Sequence, residues 1–176
     1  LLEHPTLADI HQARERLKPH IKRTPILRAE KIEKAVGCEL YLKPETLQIT
    51  GAFKIRGALN KALSFTREQL GNGLIATSSG NHAQGIAYAA RMLGVKATIV
   101  VPVSTPRIKI ENTQALGAEV ILFDGDTAAR WKRVCEIAAE NNYTAVHGFE
   151  DPMVMAGQGT IGKVWTPSSF PWAAAV

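Results

Sequence analysis

Short apolar stretches alternate with amphipathic stretches along the middle of this chain. The apolar stretches cover residues 74–77, 97–101, 119–123 and 143–147, and apolar positions recur at helical spacing over 81–93, 106–116 and 127–141. Strands that alternate with helices of this length are typical of a parallel sheet covered on both faces. Residues 73–147 are therefore predicted to form a small four-stranded α/β domain.

The chain before this region predicts shorter elements. They are a helix over 7–18, an extended piece at 24–27, a helix over 28–36 closed by Gly37, a strand at 39–43 and a helix from Lys54 to about Ser64. The two strands are expected to lack sheet neighbours, which would leave exposed edges. A last helix is predicted over 152–161, and residues 164–176, which carry no charge, are predicted to be irregular.

Composition excludes several classes of protein. With 45% hydrophobic and 21% charged residues, the 176-residue chain has an ordinary globular composition and no apolar run that could cross a membrane. Cys38 and Cys135 stand far apart, which favours reduced thiols and a cytoplasmic location over a disulfide framework. The net charge of +5 lies in residues 1–62, with twelve basic against seven acidic side chains. Because acidic residues interrupt the basic ones, we expect an anionic ligand or an acidic partner segment and no nucleic acid.

The stretch Thr50–Leu59 carries the first candidate for chemistry. Thr50 can cap the following helix and Gly51 can form the turn, so Lys54 falls in the first helical turn. The partial positive charge of a helix N-terminus disfavours a cation and should lower the pKa of the amine. A neutral amine is the form that attacks a carbonyl to make a Schiff base. The alternative is a solvated lysine on an amphipathic helix, which this segment by itself favours.

A second candidate is the loop Thr77–Gly85, which joins a predicted strand to its helix. The backbone amides of Ser79 to His82 open that helix, and such a helix N-terminus suits a carboxylate or a phosphate. An ordinary helix cap made from Ser and Asn explains the same residues equally well. The loop is not a P-loop, because Gly85 is followed by Ile86 where a lysine is required.

Other motifs predict no chemistry. Residues 157–162 match GxGxxG, but no strand leads directly into them and the acidic residue of a dinucleotide site would lie beyond Val176. The histidines show no metal-ligand spacing, and no metal site is expected. Only His82 lies in a candidate site, where a structural hydrogen bond is favoured over a role as ligand or base.

Taken together, the lysine stretch Thr50–Ala58 and the loop Ser78–Gly85 resemble the threonine/serine dehydratases and serine racemase, which are pyridoxal 5′-phosphate (PLP) enzymes of the tryptophan-synthase-β fold type. Further segments resemble the family in its order and cover residues 5–162 nearly without a gap. They are Thr24–Leu27, Leu42–Glu45, Val101–Pro102, Pro106–Lys109, Leu116–Val120 and Ala156–Thr160.

The resemblance implies roles for six residues. The lysine that matches Lys54 binds PLP covalently, and Phe53 lies beside the cofactor. Asn81 would hydrogen-bond the 3-hydroxyl of the pyridine ring, and Ser79, Gly80, Asn81 and His82 would hold the substrate carboxylate. In racemases the residue that matches Ser79 is the second acid/base, on the opposite face of the cofactor. The catalytic pair would be Lys54 and Ser79.

The resemblance also implies an α/β fold in which the small four-stranded domain accompanies an incomplete large PLP-binding domain. Its expected parts are residues 1–66 in the large domain, 67–150 in the small domain, and 151–176 as a return into the large domain with an irregular tail. Family members are considerably longer, and they add a glycine-rich phosphate loop and a residue at the pyridine nitrogen. A truncated or frame-shifted product, or a fragment, is the expected explanation.

The function expected from the resemblance is dehydration and deamination of L-threonine or L-serine to a 2-oxo acid and ammonia. Serine racemase is one alternative, with Ser79 reprotonating Cα. The other is a non-catalytic remnant that associates with itself or with a full-length subunit. We expect this chain alone to be nearly inactive, because holding the PLP phosphate needs several convergent amides or cations.

Overall fold

The structure, a computed structural model, describes residues 4–162. The irregular tail predicted for 164–176 lies outside this part of the chain. The helices are α1 (Leu7–Leu17), α2 (Glu30–Val36), α3 (Lys54–Ser64), α4 (Arg67–Leu70), α5 (Asn81–Leu93), α6 (Arg107–Ala115), α7 (Thr127–Asn141) and α8 (Pro152–Gly159). The strands are β1 (Leu27–Arg28), β2 (Tyr41–Leu42), β3 (Gly73–Thr77), β4 (Lys96–Pro102), β5 (Glu119–Phe123) and β6 (Tyr143–Ala145), and Glu45–Leu47 form a 3-10 turn.

The larger sheet contains β3, β4, β5 and β6 in the order β5-β4-β3-β6, and every neighbouring pair is parallel. Ile75 of β3 aligns with Thr98 on one side and with Ala145 on the other. The predicted four-stranded parallel sheet is therefore confirmed. The helices that connect its strands also begin and end close to their predicted limits, since α5 and α7 occupy 81–93 and 127–141.

Helices cover both faces of this sheet. Successive side chains of a strand point to opposite faces, so Leu74 and Ile75 enter different layers of the core. Leu74 packs in the cluster that holds Leu59 of α3 and Ile86 of α5. Ile75 packs with Val134 of α7 in a second cluster. The burial of these apolar side chains is what fixes the helices to the sheet.

The expectation that residues 24–27 and 39–43 lack sheet neighbours is wrong. β1 and β2 pair with each other in an antiparallel two-stranded sheet, with Leu27 opposite Leu42 and Arg28 opposite Tyr41. The helix α2 connects them and ends at Gly37, whose φ of +73° suits a residue without a side chain. Two short strands on either side of a helix can reach each other, which the sequence pattern did not reveal.

The predicted cap of the lysine helix is also wrong. The residue that caps α3 is Phe53, which makes no side-chain cap hydrogen bond. Thr50 lies four positions before the helix, too far for its hydroxyl to reach the first free amides, and its Oγ1 is buried with no hydrogen-bond partner among the described residues. Gly51 does form the expected turn, with a φ of +66°.

Residues 157–159 of the GxGxxG segment form the end of α8, and residues 160–162 follow this helix. Two of the chain's glycines explain its close packing on α3: a Cβ on Gly157 would lie 2.6 Å from the carbonyl oxygen of Arg56, and a Cβ on Gly57 would lie 2.6 Å from that of Val154. Gly57 and Gly157 therefore serve helix packing in this chain.

Among residues 4–162 no helix has the length and apolarity that a membrane crossing requires. The core cluster that contains Leu74 also includes Leu17 of α1 and Val154 of α8. The division into residues 1–66, 67–150 and 151–176 stays a prediction.

Candidate active site

A cavity of about 430 Å³ lies at the carboxyl ends of the parallel strands, where open α/β sheets bind ligands. The six residues singled out from the sequence all line it: Phe53, Lys54, Ser79, Gly80, Asn81 and His82. They come from two places in the chain, the start of α3 and the loop from β3 into α5. The structure therefore brings the two candidate stretches together around one space.

Lys54 is the first residue of α3 and projects into this cavity. Its Nζ donates a hydrogen bond to the carbonyl oxygen of Gly148 at 3.0 Å and lies 5.5 Å from the centre of the Phe53 ring. Partial burial lowers the pKa of the Lys54 amine below the ordinary lysine value. The sequence also predicted a lowered pKa for Lys54, but from the helix N-terminus, whereas in the structure burial is the cause. The partial positive charge of the helix N-terminus acts in the same direction.

The N-terminus of α5 also lines the candidate site. Gly80 occupies the cap position without a side-chain cap hydrogen bond, and Asn81 is the first helical residue. The amide of Gly80 donates to Oγ of Ser78 at 3.2 Å. A helix cap made by Ser and Asn side chains is therefore not formed. The amides of the first helical turn have no partners within the helix, and they are available to a carboxylate or a phosphate.

His82, the second residue of α5, is buried, with 4% of its surface exposed. Its Nε2 lies 3.4 Å from the carbonyl oxygen of Val146, while Nδ1 has no hydrogen-bond partner among the described residues. Burial lowers the pKa of His82 to about 4, and the charges of Lys54 and His147 act in the same direction. The ring is therefore neutral at neutral pH, and it cannot act there as a cationic acid.

The sequence did not reveal the remaining wall of the cavity. This wall consists of Thr127, Arg130 and Trp131 from the start of α7, and of His147, Gly148 and Phe149 from the loop after β6. The His147 ring makes edge contacts with Trp131 and Phe149, at centroid distances of 4.6 and 4.5 Å. The described lining contains the basic residues Lys54 and Arg130 and no carboxylate. The cavity therefore has a cationic character that suits anionic ligands.

Small residues hold α3 against α5 and thereby fix the distance between the two candidate stretches. A Cβ on Gly85 would lie 3.0 Å from the Cβ of Ala58 and 3.4 Å from the carbonyl oxygen of Lys54. The sequence placed Gly85 in the loop motif without a role. Its role in the structure is to let the backbone of α5 approach the first turn of α3.

Comparisons with known proteins agree with this geometry. A family model described as "Pyridoxal-phosphate dependent enzyme" matches residues 17–164. The mitochondrial threonine dehydratase of Schizosaccharomyces pombe is 49% identical over 142 residues, which are 81% of this chain and 24% of that protein. The catabolic L-threonine dehydratase of Staphylococcus aureus strain USA300 is 44% identical over 158 residues, which are 89% of this chain and 46% of that protein.

The solved structure of maize serine racemase has a similar fold, with a TM-score of 0.90 and 32% sequence identity over 96% of this chain and 51% of that one. The chain thus spans about half the length of the maize and Staphylococcus proteins and a smaller share of the yeast one. Because the family model covers most of its residues, this chain belongs to the pyridoxal-phosphate-dependent enzymes.

Proposed function

We propose that this protein takes part in the PLP-dependent dehydration and deamination of L-threonine or L-serine to a 2-oxo acid and ammonia. The observation that carries the proposal is that the Lys54 amine and the N-terminus of α5 face one cavity. The first supplies a nucleophile and base, and the second supplies a site for a carboxylate. The names of the yeast and Staphylococcus relatives support this reaction over others of the family.

Three residues of the cavity, Lys54, Phe53 and Asn81, fit the aldehyde and the ring of PLP. The amine of Lys54 lies in a site where burial lowers its pKa, so the neutral form that bonds to the cofactor aldehyde is favoured. Phe53 and Asn81 line the same space and offer a ring contact and an amide side chain. When it is bound, PLP supplies an electron sink for the pair left by a broken bond at Cα.

We assign the substrate carboxylate to the stretch Ser79, Gly80, Asn81 and His82, where the amide of Gly80 would exchange its hydrogen bond to Ser78 Oγ for one to the carboxylate. The α5 N-terminus favours an anion through its free amides and its partial positive charge. His82 strengthens this assignment, because its ring is neutral and buried against the loop after β6 and therefore keeps the first turn of α5 in place. A carboxylate anchored here would hold the substrate Cα between this helix and Lys54.

Lys54 then acts as the base that removes the proton from Cα. Burial lowers the pKa of the Lys54 amine below the ordinary lysine value, which increases the neutral fraction that can accept a proton. The carbonyl oxygen of Gly148 accepts a hydrogen bond from Nζ and can keep the released amine directed into the cavity. The β-hydroxyl would leave as water with a proton that the Lys54 ammonium can return, and hydrolysis of the bond between Cα and nitrogen would then give the 2-oxo acid and ammonia.

Serine racemisation is the second candidate. The maize serine racemase has a similar fold, and Ser79 lines the same cavity as Lys54. If Ser79 returns the proton to Cα, Ser79→Ala should abolish D-serine formation and leave 2-oxo acid formation from L-serine in place. Loss of both products would contradict a role for Ser79 that is confined to racemisation.

We also propose that the protein associates with a second copy or with a longer subunit. Apolar side chains of the β1, α2 and β2 region are exposed, with Leu27, Val36 and Leu42 at 50%, 53% and 44%. Apolar surface of this kind favours a covered interface. Sedimentation of the purified chain should show a species heavier than one copy, and a monomer at micromolar concentration would contradict self-association.

The reaction itself is tested with purified chain, excess PLP and L-threonine or L-serine. Formation of 2-oxo acid that depends on Lys54 supports the dehydratase, and Lys54→Ala is the matched control. We expect slow turnover, well below one per second, the lower end of ordinary enzymes. PLP that is covalently bound without any product would support the alternative of a protein that binds the cofactor without catalysis.

A further inference from the structure

Polar residues from three separate stretches form a hydrogen-bond network with Arg56, two positions after Lys54. Thr24 follows α1, Glu45 follows β2, and Thr160 directly follows α8. In the sequence these residues belong to the separate stretches 24–27, 42–45 and 156–160, which have no part in the proposed chemistry. The structure joins them in one buried network.

The polar side chains of this network are hydrogen-bonded to one another. Glu45 accepts two hydrogen bonds from Arg56, Nε to Oε2 at 2.7 Å and Nη2 to Oε1 at 2.8 Å. Thr24 Oγ1 donates to Oε1 of the same carboxylate at 2.6 Å, and Arg56 Nη1 donates to Thr160 Oγ1 at 3.3 Å. The side chains of Arg56 and Glu45 are only 4% and 12% exposed. Such a two-point pair between an arginine and a carboxylate fixes direction as well as distance.

The charge state of Glu45 is consistent with a strong pair. Burial raises the pKa of its carboxyl, but the hydrogen bonds from Arg56 and Thr24 outweigh this effect, and the pKa lies below the ordinary glutamate value. The carboxylate is therefore ionised at neutral pH, and the pair holds two full charges together in a buried site.

The position of this pair relative to Lys54 gives it a consequence for the active site. Residues two apart on a helix point to nearly opposite sides, so Arg56 holds α3 from the side opposite to the cavity. The first turn of α3 has no side-chain cap that would hold it instead. Farther along α3, the amide of Gly57 donates to Oε1 of Gln158 at 3.2 Å and Nδ2 of Asn60 donates to the carbonyl oxygen of Met153 at 2.7 Å, so these bonds hold α3 to the α8 region. Arg56 adds a separate connection, from the first turn of α3 to Glu45.

We propose that the Arg56–Glu45–Thr24 network is the positioning device of Lys54: it holds the first turn of α3 in place, so that the amine stays in its half-buried position beside Gly148. Arg56, Glu45 and Thr24 are positioning residues and do not touch substrate or cofactor. The proposal rests on the proposed function for its catalytic meaning, although the placement of the amine can be tested without PLP.

Loosening the network should expose the Lys54 amine. Burial is the cause of its lowered pKa, so a more mobile first turn should bring the pKa back toward the ordinary lysine value. The titratable groups that face Lys54 in the cavity are His82 and His147, and Arg130 also lines it. None of these belongs to the network, so substitution of Glu45 or Thr24 leaves them in place.

The test measures the reactivity of each lysine by trace acetylation with acetic anhydride over a range of pH, with the full chain and no PLP. The variants are Glu45→Gln, which weakens the pair, and Thr24→Val, which removes only the hydroxyl at nearly constant volume. Thr24→Ser restores that hydroxyl and is the conservative rescue. Val134→Ala, in the core cluster under α7, is a destabilising control far from α3.

We expect labelling of Lys54 at pH 8 to fall about threefold or more in Glu45→Gln and in Thr24→Val, which corresponds to a pKa rise of about half a unit. Thr24→Ser and Val134→Ala should label as the wild type does. Unchanged labelling of Lys54 in both folded network variants, or an equal fall in Val134→Ala, would overturn the proposal. If Glu45→Gln does not fold, the comparison of Thr24→Val with Thr24→Ser decides.

This experiment separates the inference from the proposed function. A protein that never reacts with threonine or serine would still show the change in Lys54 labelling if the network positions the amine. If the protein is active but Lys54 is labelled equally in the wild type and in the network variants, only the positioning role is contradicted.

Discussion

The amine of Lys54 donates a hydrogen bond to the carbonyl oxygen of Gly148, 94 residues further along the chain. This bond connects the first turn of α3 to the loop after β6, and the same loop carries His147 and Phe149 of the cavity wall. The reactive amine is therefore held by backbone and burial, with no carboxylate partner in the described lining. An amine in such a place has a larger neutral fraction than an exposed lysine.

The first prediction concerns the reactivity of this amine. In the native chain, acetylation of Lys54 should reach half of its plateau at a lower pH than in the same chain unfolded in urea, because unfolding removes the burial that lowers the pKa. The unfolded chain is the matched control, since it contains the same residue in the same sequence. Coincident pH profiles in the two states would show that burial does not act on Lys54.

The second prediction concerns the dependence of stability on pH through His82. Its pKa in the fold is about 4, against 6.5 for an unperturbed histidine. Well above pH 6.5 the ring is neutral in the folded and in the unfolded chain, so its protonation takes nothing from the free energy of unfolding there. As the pH falls from 6.5 to 4, the unfolded chain binds a proton that the folded chain refuses, and stability is lost. The loss between pH 7 and pH 5 should be about 2 kcal/mol.

This loss can be isolated with His82→Gln, which does not titrate. Denaturant unfolding at pH 7 and pH 5 gives the free energy of unfolding of each protein at both values. The wild type should lose about 2 kcal/mol more than the variant over this interval, whatever their difference at pH 7. Equal losses would mean that His82 is protonated in the fold as readily as in the unfolded chain.

The third prediction concerns the packing of α8 on α3. Gly157→Ala should lower the free energy of unfolding by about 1–3 kcal/mol or more, because the new Cβ would lie 2.6 Å from the carbonyl oxygen of Arg56. Gly162 is the matched control, since a Cβ there has no neighbour within 4 Å. Thermal unfolding of both variants distinguishes them. Equal midpoints would contradict the close approach of the two helices.

The regular part of the fold could be predicted from sequence because its signals are local. The pattern at 81–93 ends at Gly94, which takes the expected left-handed conformation, and Asp126 caps the helix at 127–141. The strand at 119–123 is an apolar run of the right length. The two-residue strands β1 and β2 are too short to show a period, and a pairing between them depends on contacts that no local pattern encodes.

The candidate site could be predicted only in part for a related reason. Lys54 and the loop around Asn81 carry motifs, and each motif is contiguous in sequence. The same cavity is also lined by Trp131, His147 and Phe149, because β6 pairs with β3 and α7 starts after β5. No single segment of the sequence determines the order of the strands in the sheet. The predicted strand at 143–147 was the available signal, since loops at the carboxyl ends of parallel strands gather at one edge.

The central claim is that Lys54 is the residue that binds PLP, and direct labelling tests it. The purified chain is incubated with excess PLP, reduced with borohydride and digested, and mass spectrometry locates the added pyridoxyl group. The group should lie predominantly on Lys54, and Lys54→Ala should lose it while keeping its fold, because alanine is tolerated in a first helical turn. A label spread evenly over the surface lysines, or retained in Lys54→Ala, would contradict the claim.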